Sequence, residues 1–430
     1  MTTQPDYFPP VQCNSKTQFK FNPHRYPLTL KAQDVIGDVT RRVQGYEHFY
    51  GLRQRARKQK DQDKFEQMMT AIISDLCYRY CQGPENKVYL SRSKQQIGRV
   101  SRYMPKVIGK TLPTILDILA TPDLELIGME KGHKLKGKQT TIWPGVVLVS
   151  MIERSGITWR DFDESGTSEV IQLRGEREGR KKGKLLEYLD TPETQRFRQE
   201  MERINKWLVD ADITFDTSSC TPQKGPVNSK DRTLRRIFNN GSFAEGGRLY
   251  GGFWQEGLRK EERTKGIRIG GERTVSLDYS QVCPRILYGM ARVEPRSDDL
   301  YTVPQLESNR EGLKKVLVSL LFAKDALLRT PRNARPLLPK RMKFAEVVRL
   351  IELAHPDLVP YFGTGIGMEL MFQESQILVE VLLTLIDHGV VALPVHDAVV
   401  VREADEEITR KVMDAVFRKH TGLSITVKAE

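Results

Sequence analysis

The chain has 430 residues, enough for two or three domains with cores of their own, and its 39% hydrophobic and 29% charged residues belong to a charge-rich globular protein. The 68 Lys and Arg against 55 Asp and Glu leave a formal charge of +13, which selects a polyanionic partner, most simply nucleic acid. No apolar run approaches a bilayer span, and the N-terminus lacks the charged-then-apolar pattern of a secretion signal. The cysteines Cys13, Cys77, Cys81, Cys220 and Cys283 form no Cys-x-x-Cys pair, so a reduced, cytoplasmic setting is expected.

Residues 1–62 read as a proline-bearing arm and a basic segment in which Arg53, Arg55, Arg57, Lys58 and Lys60 cluster. A phosphate contact and a solvated helix face account for that cluster equally well. In residues 63–160 the first helix runs from Phe65 to Cys81, with Met68, Ile72, Leu76 and Tyr80 on one face. Two shorter helices are expected within 91–100 and 110–120, then strands at Leu124–Met129 and Gln139–Trp143 around the turn KGHKLKGK. That order resembles a winged helix-turn-helix, whose wing lysines Lys131, Lys134 and Lys136 would contact phosphate; a plain α+β packing domain fits the same pattern. Residues 161–234 hold an exposed basic loop, RGEREGRKKGK, and a thumb-like amphipathic helix from Thr191 to Val209 striped by Phe197, Met201, Ile204 and Leu208.

Residues 235–430 carry the chemistry. Gly246 and Gly247 permit close backbone approach, and Arg248 stands among Tyr250, Phe253 and Trp254. Such a strand suits stacking on bases or straddling a phosphate backbone, with a structural corner as the plain alternative. The run TVSLDYSQVCPRILY is an apolar strand that ends on Asp278, and 119 residues later ALPVHDAVVV sets His396 and Asp397 between two apolar runs. A carboxylate at the end of a buried strand needs a partner, which a bound metal, a cation or only a helix N-terminus could supply, and two such acids suggest a pair of metal ligands. In REGLKKVLVSLLFAKDALL, Arg310 and Lys314 share a helix face opposite Leu313, Leu317 and Leu321, a like-charge pair that an anion would relieve, with a solvent-exposed basic face as the plain alternative. A basic, proline-broken stretch from Arg329 to Lys343 follows, then helices at Phe344–Ala354 and Gln373–Leu385, the second closed by Gly389.

Five elements in this order, GGRLYG at Gly246–Gly251, DYSQVCPR at Asp278–Arg285, REGLK at Arg310–Lys314, the helix entered by Gln373 and Glu374, and PVHDA at Pro394–Ala398, resemble the palm and fingers motifs of family A DNA polymerases. The resemblance spans about residues 235–430. It implies an α+β right-hand palm with short fingers and two bound Mg²⁺ ions, with Mn²⁺ as a substitute, held by Asp278 and Asp397. It further implies Arg248 on the primer–template, Arg310 and Lys314 on the incoming triphosphate, His396 beside the primer end, and Tyr279, Cys283 and Gln373 around the substrate. The chain departs from the pattern at Cys283, where the family has a glutamate associated with excluding a ribose hydroxyl, and at Ala398, where it has an acid. Val318, Leu321 and Phe322 replace the family's downstream aromatic–Tyr–Gly, and no acidic set in the N-terminal half matches a proofreading exonuclease. The implied activity is template-directed nucleotidyl transfer, with a DNA primer–template and nucleoside triphosphates as partners. The alternatives are a primase or RNA polymerase using ribonucleotides, and a non-catalytic DNA-binding replication or mobile-element factor.

Overall fold

A computed structural model describes residues 17–97, 101–103, 107–132, 138–164, 169–179, 181–223 and 227–429. The chain forms two compact units, Met1–Ser168 with Gln223–Pro226, and Glu169–Pro222 with Val227–Glu430.

The first unit holds strands β1 (Gln18–Lys20), β2 (Arg25–Pro27), β3 (Lys87–Leu90), β4 (Ile127–Glu130), β5 (Thr140–Pro144) and β6 (Phe162–Glu164). Its helices are α1 (Leu30–Phe49), α2 (Gln59–Gln82), α3 (Lys94–Ile97), α4 (Leu112–Leu119) and α5 (Val146–Ser155). The main sheet runs β1–β3–β5–β4, parallel between β1 and β3 and otherwise antiparallel. Helix α2 is the core element: Met68, Met69, Ile72, Ile73 and Leu76 are all buried. It also buries Asp75, which accepts from Arg25 Nε at 3.0 Å, while the same guanidinium lies 3.4 Å from the Tyr78 ring centroid. A charge buried this way is tolerable because it is paired and hydrogen-bonded.

Three sequence expectations are revised in this unit. Helix α2 starts at Gln59, six residues before Phe65, with Asp61 in its positively polarised first turn. Residues 51–58 form a loop, so most of the basic cluster is not on a helix face, and Arg57 is pinned to Glu47 at 2.7 Å and laid over the Phe65 ring. Strand β3 intervenes between α2 and α3, and α3 is described from Lys94 to Ile97. Strands β4 and β5 do pair, from Ile127 opposite Pro144 to Glu130 opposite Thr141. Lys131 ion-pairs with Asp117 of α4 at 3.4 Å, whereas Lys134 and Lys136 lie outside the described residues.

The second unit holds β7 (Ile171–Leu173), β8 (Ile213–Phe215), β9 (Leu234–Asn239), β10 (Ser242–Gly251), β11 (Ile267–Ile269), β12 (Thr274–Tyr279), β13 (Leu393–Val395), β14 (Ala398–Arg402) and β15 (Val427–Ala429). Its helices are α6 (Pro192–Asp210), α7 (Phe253–Glu256), α8 (Lys260–Gly266), α9 (Val282–Ala291), α10 (Arg310–Phe322), α11 (Phe344–Ala354), α12 (Gly367–Asp387) and α13 (Glu406–Thr421). Three sheets run β10–β9–β7, β11–β8 and β13–β14–β12–β15. The stripe Phe197, Met201, Ile204 and Leu208 of α6 is buried in the large core, which α12 crosses between β10, α6, α9 and α13. A smaller core gathers Tyr301, Leu313, Val316, Leu317, Val347 and Ile351 from α10, α11 and the segment before them. His355 ties that part to α9: its Nε2–H donates to Leu300 O and its Nδ1 accepts from the Tyr288 hydroxyl, both at 2.9 Å. The architecture is thus mixed α/β with several small sheets, and no described helix is long and apolar enough to cross a membrane.

Candidate active site

The sheet register brings the backbones of the two acids close together. Strand β12 pairs antiparallel with β14, and Asp278 stands opposite Ala398, the residue next to Asp397. The two aspartate Cα atoms are therefore within about 9 Å of each other. His396 and Asp397 are the two-residue turn of the β13–β14 hairpin, and His396 takes the positive φ of 60° that such a tight turn needs. The strand leading into that turn is fixed from below. Pro394 O accepts from the fully buried Trp254 Nε1 at 2.9 Å and from Gln255 Nε2 at 2.8 Å. Asp278 and Asp397 are half-buried, and His396 is exposed at the tip. Partial burial of its ring, together with the Arg248 and Arg263 cations, pushes the imidazole pKa below its ordinary value, so His396 is neutral at pH 7.

Beside this turn lies a buried ion pair that one sequence element alone does not reveal. Arg248 of β10 donates from Nε to Glu374 Oε1 at 2.7 Å and from Nη2 to Oε2 at 2.8 Å, a two-pronged contact. Burial raises the Glu374 pKa while Arg248 works against it. Burial by itself would depress the guanidinium, but the carboxylate overrides it and holds Arg248 above its ordinary pKa. The Cys283 thiol points at Glu374 Oε2, 3.8 Å away, and burial followed by that carboxylate pushes its pKa up to about 12. Arg248, Cys283 and Glu374 all feel the charge of Asp397, which puts the four groups in one neighbourhood.

The local backbone explains how α12 reaches β10. The β9–β10 hairpin turns at Asn240–Gly241 and bulges on either side of Gly246. Gly246 and Gly247 have φ of 80° and 78°, and a Cβ on Gly247 would sit 2.7 Å from Ser375 Oγ. The close approach that Gly247 allows is thus that of α12, while Gly246 makes room for Asn239 within the hairpin. Arg236 of β9 locks it there. Fully buried, Arg236 donates to Gly247 O and Ser375 Oγ, each at 3.0 Å, and to Gln376 Oε1 at 2.5 Å, with its guanidinium 4.6 Å from the Phe197 ring centroid.

Arg310 and Lys314 share the α10 face as the sequence suggests, and Leu313, Leu317 and Leu321 are buried on the other. The anion that relieves the like-charge pair is internal: Asp299 accepts from Arg310 Nε at 2.6 Å and from Nη2 at 3.1 Å. Against the effect of burial, hydrogen bonds from Arg310 and Thr302 take the Asp299 carboxyl down to about 2. Tyr301 lies beneath both cations, 5.4 Å from Arg310 and 5.8 Å from Lys314, and Lys314 is exposed. Tyr301 also feels Cys283 and Asp397, which connects the α10 face to the aspartate turn.

Other expected residues lie elsewhere. Tyr279 is buried behind the strand, its hydroxyl donating to Met413 O at 2.7 Å, so it anchors α13 and is not brought to the aspartates. Phe253 and Trp254 are core residues and unavailable for base stacking; the structural-corner account holds for them. Helix α12 begins at Gly367, so Gln373 lies half-buried in its second turn and not at its start. Glu374 was missed as a site residue, although its spacing from Leu370, Ile377 and Leu378 put an acid on an apolar helix face.

Among the described residues, no group of three or more His, Cys, Asp or Glu is placed to hold a metal ion. Asp278 and Asp397 nevertheless suit Mg²⁺, which commonly takes one or two protein carboxylates and completes its shell with water and substrate phosphates.

No family model matches the sequence, and no curated protein matches it. Among solved structures, the chain is similar to the polymerase domain of Pol1 from M. smegmatis in complex with DNA primer-template and dNTP, at 11% identity and a TM-score of 0.32. That alignment covers 85% of this chain, which spans 65% of the length of the polymerase domain.

Proposed function

We propose that this protein catalyses template-directed nucleotidyl transfer, extending a primer on a DNA template with a right-hand palm and fingers in the second unit. The observation that carries this is the β12–β14 register, which brings Asp278 and Asp397 together from positions 119 residues apart. The ordered sequence motifs around them support it.

In this proposal Asp278 and Asp397 hold Mg²⁺, which would supply Lewis acidity to the attacking 3′-hydroxyl and to the leaving pyrophosphate. Lys314, exposed on α10, offers its ammonium to the triphosphate. Arg310 joins it by exchanging the Asp299 carboxylate for phosphate, a like-for-like trade of two-pronged acceptors. Neutral His396, at the turn, serves as a hydrogen-bonding group beside the primer end. Arg248 faces the primer–template with its orientation set by Glu374. Deoxynucleotides are the first choice of substrate. The small thiol of Cys283 in place of a carboxylate keeps ribonucleotides, including primer synthesis, as the second.

One observation favours a non-catalytic DNA-binding factor instead: Arg248 and Arg310 are both engaged by protein acids. Extension of an end-labelled primer on a longer template, with Mg²⁺ and with dNTPs and rNTPs in parallel, separates the accounts. Extension with either set supports the enzyme. Binding of the primer–template with no extension under either set, or with Mn²⁺, leaves the scaffold.

A further inference from the structure

Between α10 and α11 the chain carries Lys324, Arg329, Arg332, Arg335, Lys340, Arg341 and Lys343 against a single acid, Asp325, and of these cations Lys324 is ion-paired with Glu176 at 3.4 Å. Pro331, Pro336 and Pro339 keep this stretch out of α-helix and strand. It is nevertheless firmly held. Ala334 and Leu338 are buried in the smaller core, Asn309 Nδ2 donates to Leu337 O at 2.8 Å, and Lys315 Nζ donates to Asn333 O at 3.1 Å. Arg335 turns its guanidinium inward along the loop, donating to Pro339 O at 3.3 Å and Lys340 O at 2.8 Å. The cations of Arg329, Arg332, Lys340, Arg341 and Lys343 are left on exposed residues.

The segment walls two open cavities. One, of about 360 Å³, is lined by Lys314, Lys315 and Arg332 with Ser319 and Asn333. The other, of about 510 Å³, is lined by Arg329, Arg335, Lys340, Arg341 and Lys343, with Leu328 and Phe344 as apolar surface. No carboxylate among the described residues lines either cavity. The nearest acid along the chain, Glu346, accepts from the Lys343 backbone N–H at 2.8 Å. Like charges gathered without counter-charge repel one another, and an external polyanion relieves them. A nucleoside triphosphate carries about four negative charges and would occupy one cavity; cations spread from Arg329 to Lys343 and over two cavities match an extended chain of phosphates better. Leu328 is 88% exposed, an apolar surface on which an unpaired base can lie and a duplex backbone cannot.

We propose that residues 324–344 bind single-stranded nucleic acid, with the phosphodiester backbone along the cations and bases against Leu328 and Phe344. The segment deepens the nucleotidyl-transfer proposal but is tested without metal or catalysis, so the two can fail separately.

The test is fluorescence anisotropy of a labelled oligo-dT of about 20 nucleotides, in EDTA and at several salt concentrations between about 50 and 200 mM. The variant is Arg329→Gln/Lys340→Gln/Arg341→Gln, and the control is Lys64→Gln/Lys94→Gln/Lys206→Gln, which removes three exposed cations elsewhere. The pocket variant should bind at least about tenfold more weakly, with a log–log salt slope shallower by about two, while the control changes little. Equal loss in both variants, unchanged affinity in the pocket variant, or equal loss on a blunt duplex overturns the proposal. Loss of labelled dTTP binding with oligo-dT binding intact also overturns it, and marks a triphosphate pocket. Lysine acetylation of the wild-type protein gives a measurement that needs no variant: oligo-dT should protect Lys340 and Lys343, and equal labelling with and without it refutes the site.

Discussion

The Arg248 guanidinium and the Glu374 carboxylate lie fork to fork, at 2.7 and 2.8 Å, with Glu374 only 2% exposed. Replacing one member strands the other in a desolvated place. Glu374→Ala should therefore destabilise the second unit by about 3 kcal/mol, read as a lowered denaturant midpoint with unchanged slope. The double variant Arg248→Met/Glu374→Leu should recover most of that loss. A double variant no more stable than the single one would show that the pair is not the source.

The aspartates make a sharper demand. Asp278→Asn and Asp397→Asn keep the volume and remove the charge, and each should lower primer extension by at least about a hundredfold. Affinity for primer–template, measured in EDTA, should stay within a few-fold. Extension that survives both substitutions would remove these residues from catalysis.

Cys283 is packed against Glu374, which alters what a carboxylate at that position would do. Cys283→Glu places two acids face to face in a buried setting, so the variant should lose about 2 kcal/mol of stability before any effect on sugar choice can be read. Exchanging the pair, Cys283→Glu with Glu374→Cys, leaves one acid for Arg248 and should restore the midpoint. If the exchanged protein also shifts the dNTP to rNTP ratio, the acid's position matters for the sugar. An unchanged ratio removes Cys283 from sugar selection. In the wild type, a thiol pKa of about 12 should leave Cys283 slow to alkylate at pH 8.

His355 gives the protein a pH dependence of definite sign. Burial holds its folded pKa below the ordinary value near 6.5. The unfolded chain therefore takes up the proton first. The stability of the α9 to Leu300 tie is complete above about pH 6.5 and declines as the pH falls through the folded pKa. Urea midpoints at pH 7.5 and 5.5 should separate more in wild type than in His355→Gln. Parallel shifts in the two proteins would exclude His355 as the titrating group.

Much of the candidate site was visible in local patterns, and the remainder shows why local patterns stop short. The alternation around Asp278, the acid between two apolar runs at Asp397 and the α10 stripe depend on neighbours in sequence, and all three have the secondary structure expected of them. The partners of Arg248 and Arg310 were invisible for different reasons. Glu374 is 126 residues from Arg248, a distance that no period spans. Asp299 is 11 residues from Arg310, in an irregular segment where spacing does not fix direction. In each case the charge in the sequence invites an external phosphate, and the fold supplies a carboxylate. Arg236 left a fainter trace: it takes the inward position of β9, between Leu234 and Phe238, where alternation calls for an apolar side chain.

Arg236 also constrains how the protein comes into being on the ribosome. Two of its partners, Ser375 and Gln376, are 139 and 140 residues further along. At about 5–20 residues per second, the β9–β10 hairpin waits several seconds with Arg236 held by Gly247 O and Glu200 but lacking its two α12 acceptors. Until α12 has been synthesised the guanidinium cannot be satisfied in full, nor the hairpin covered on that side. The second unit therefore matures late and all at once, and a nascent chain stalled before Gln376 should be open to proteases across β9 and β10.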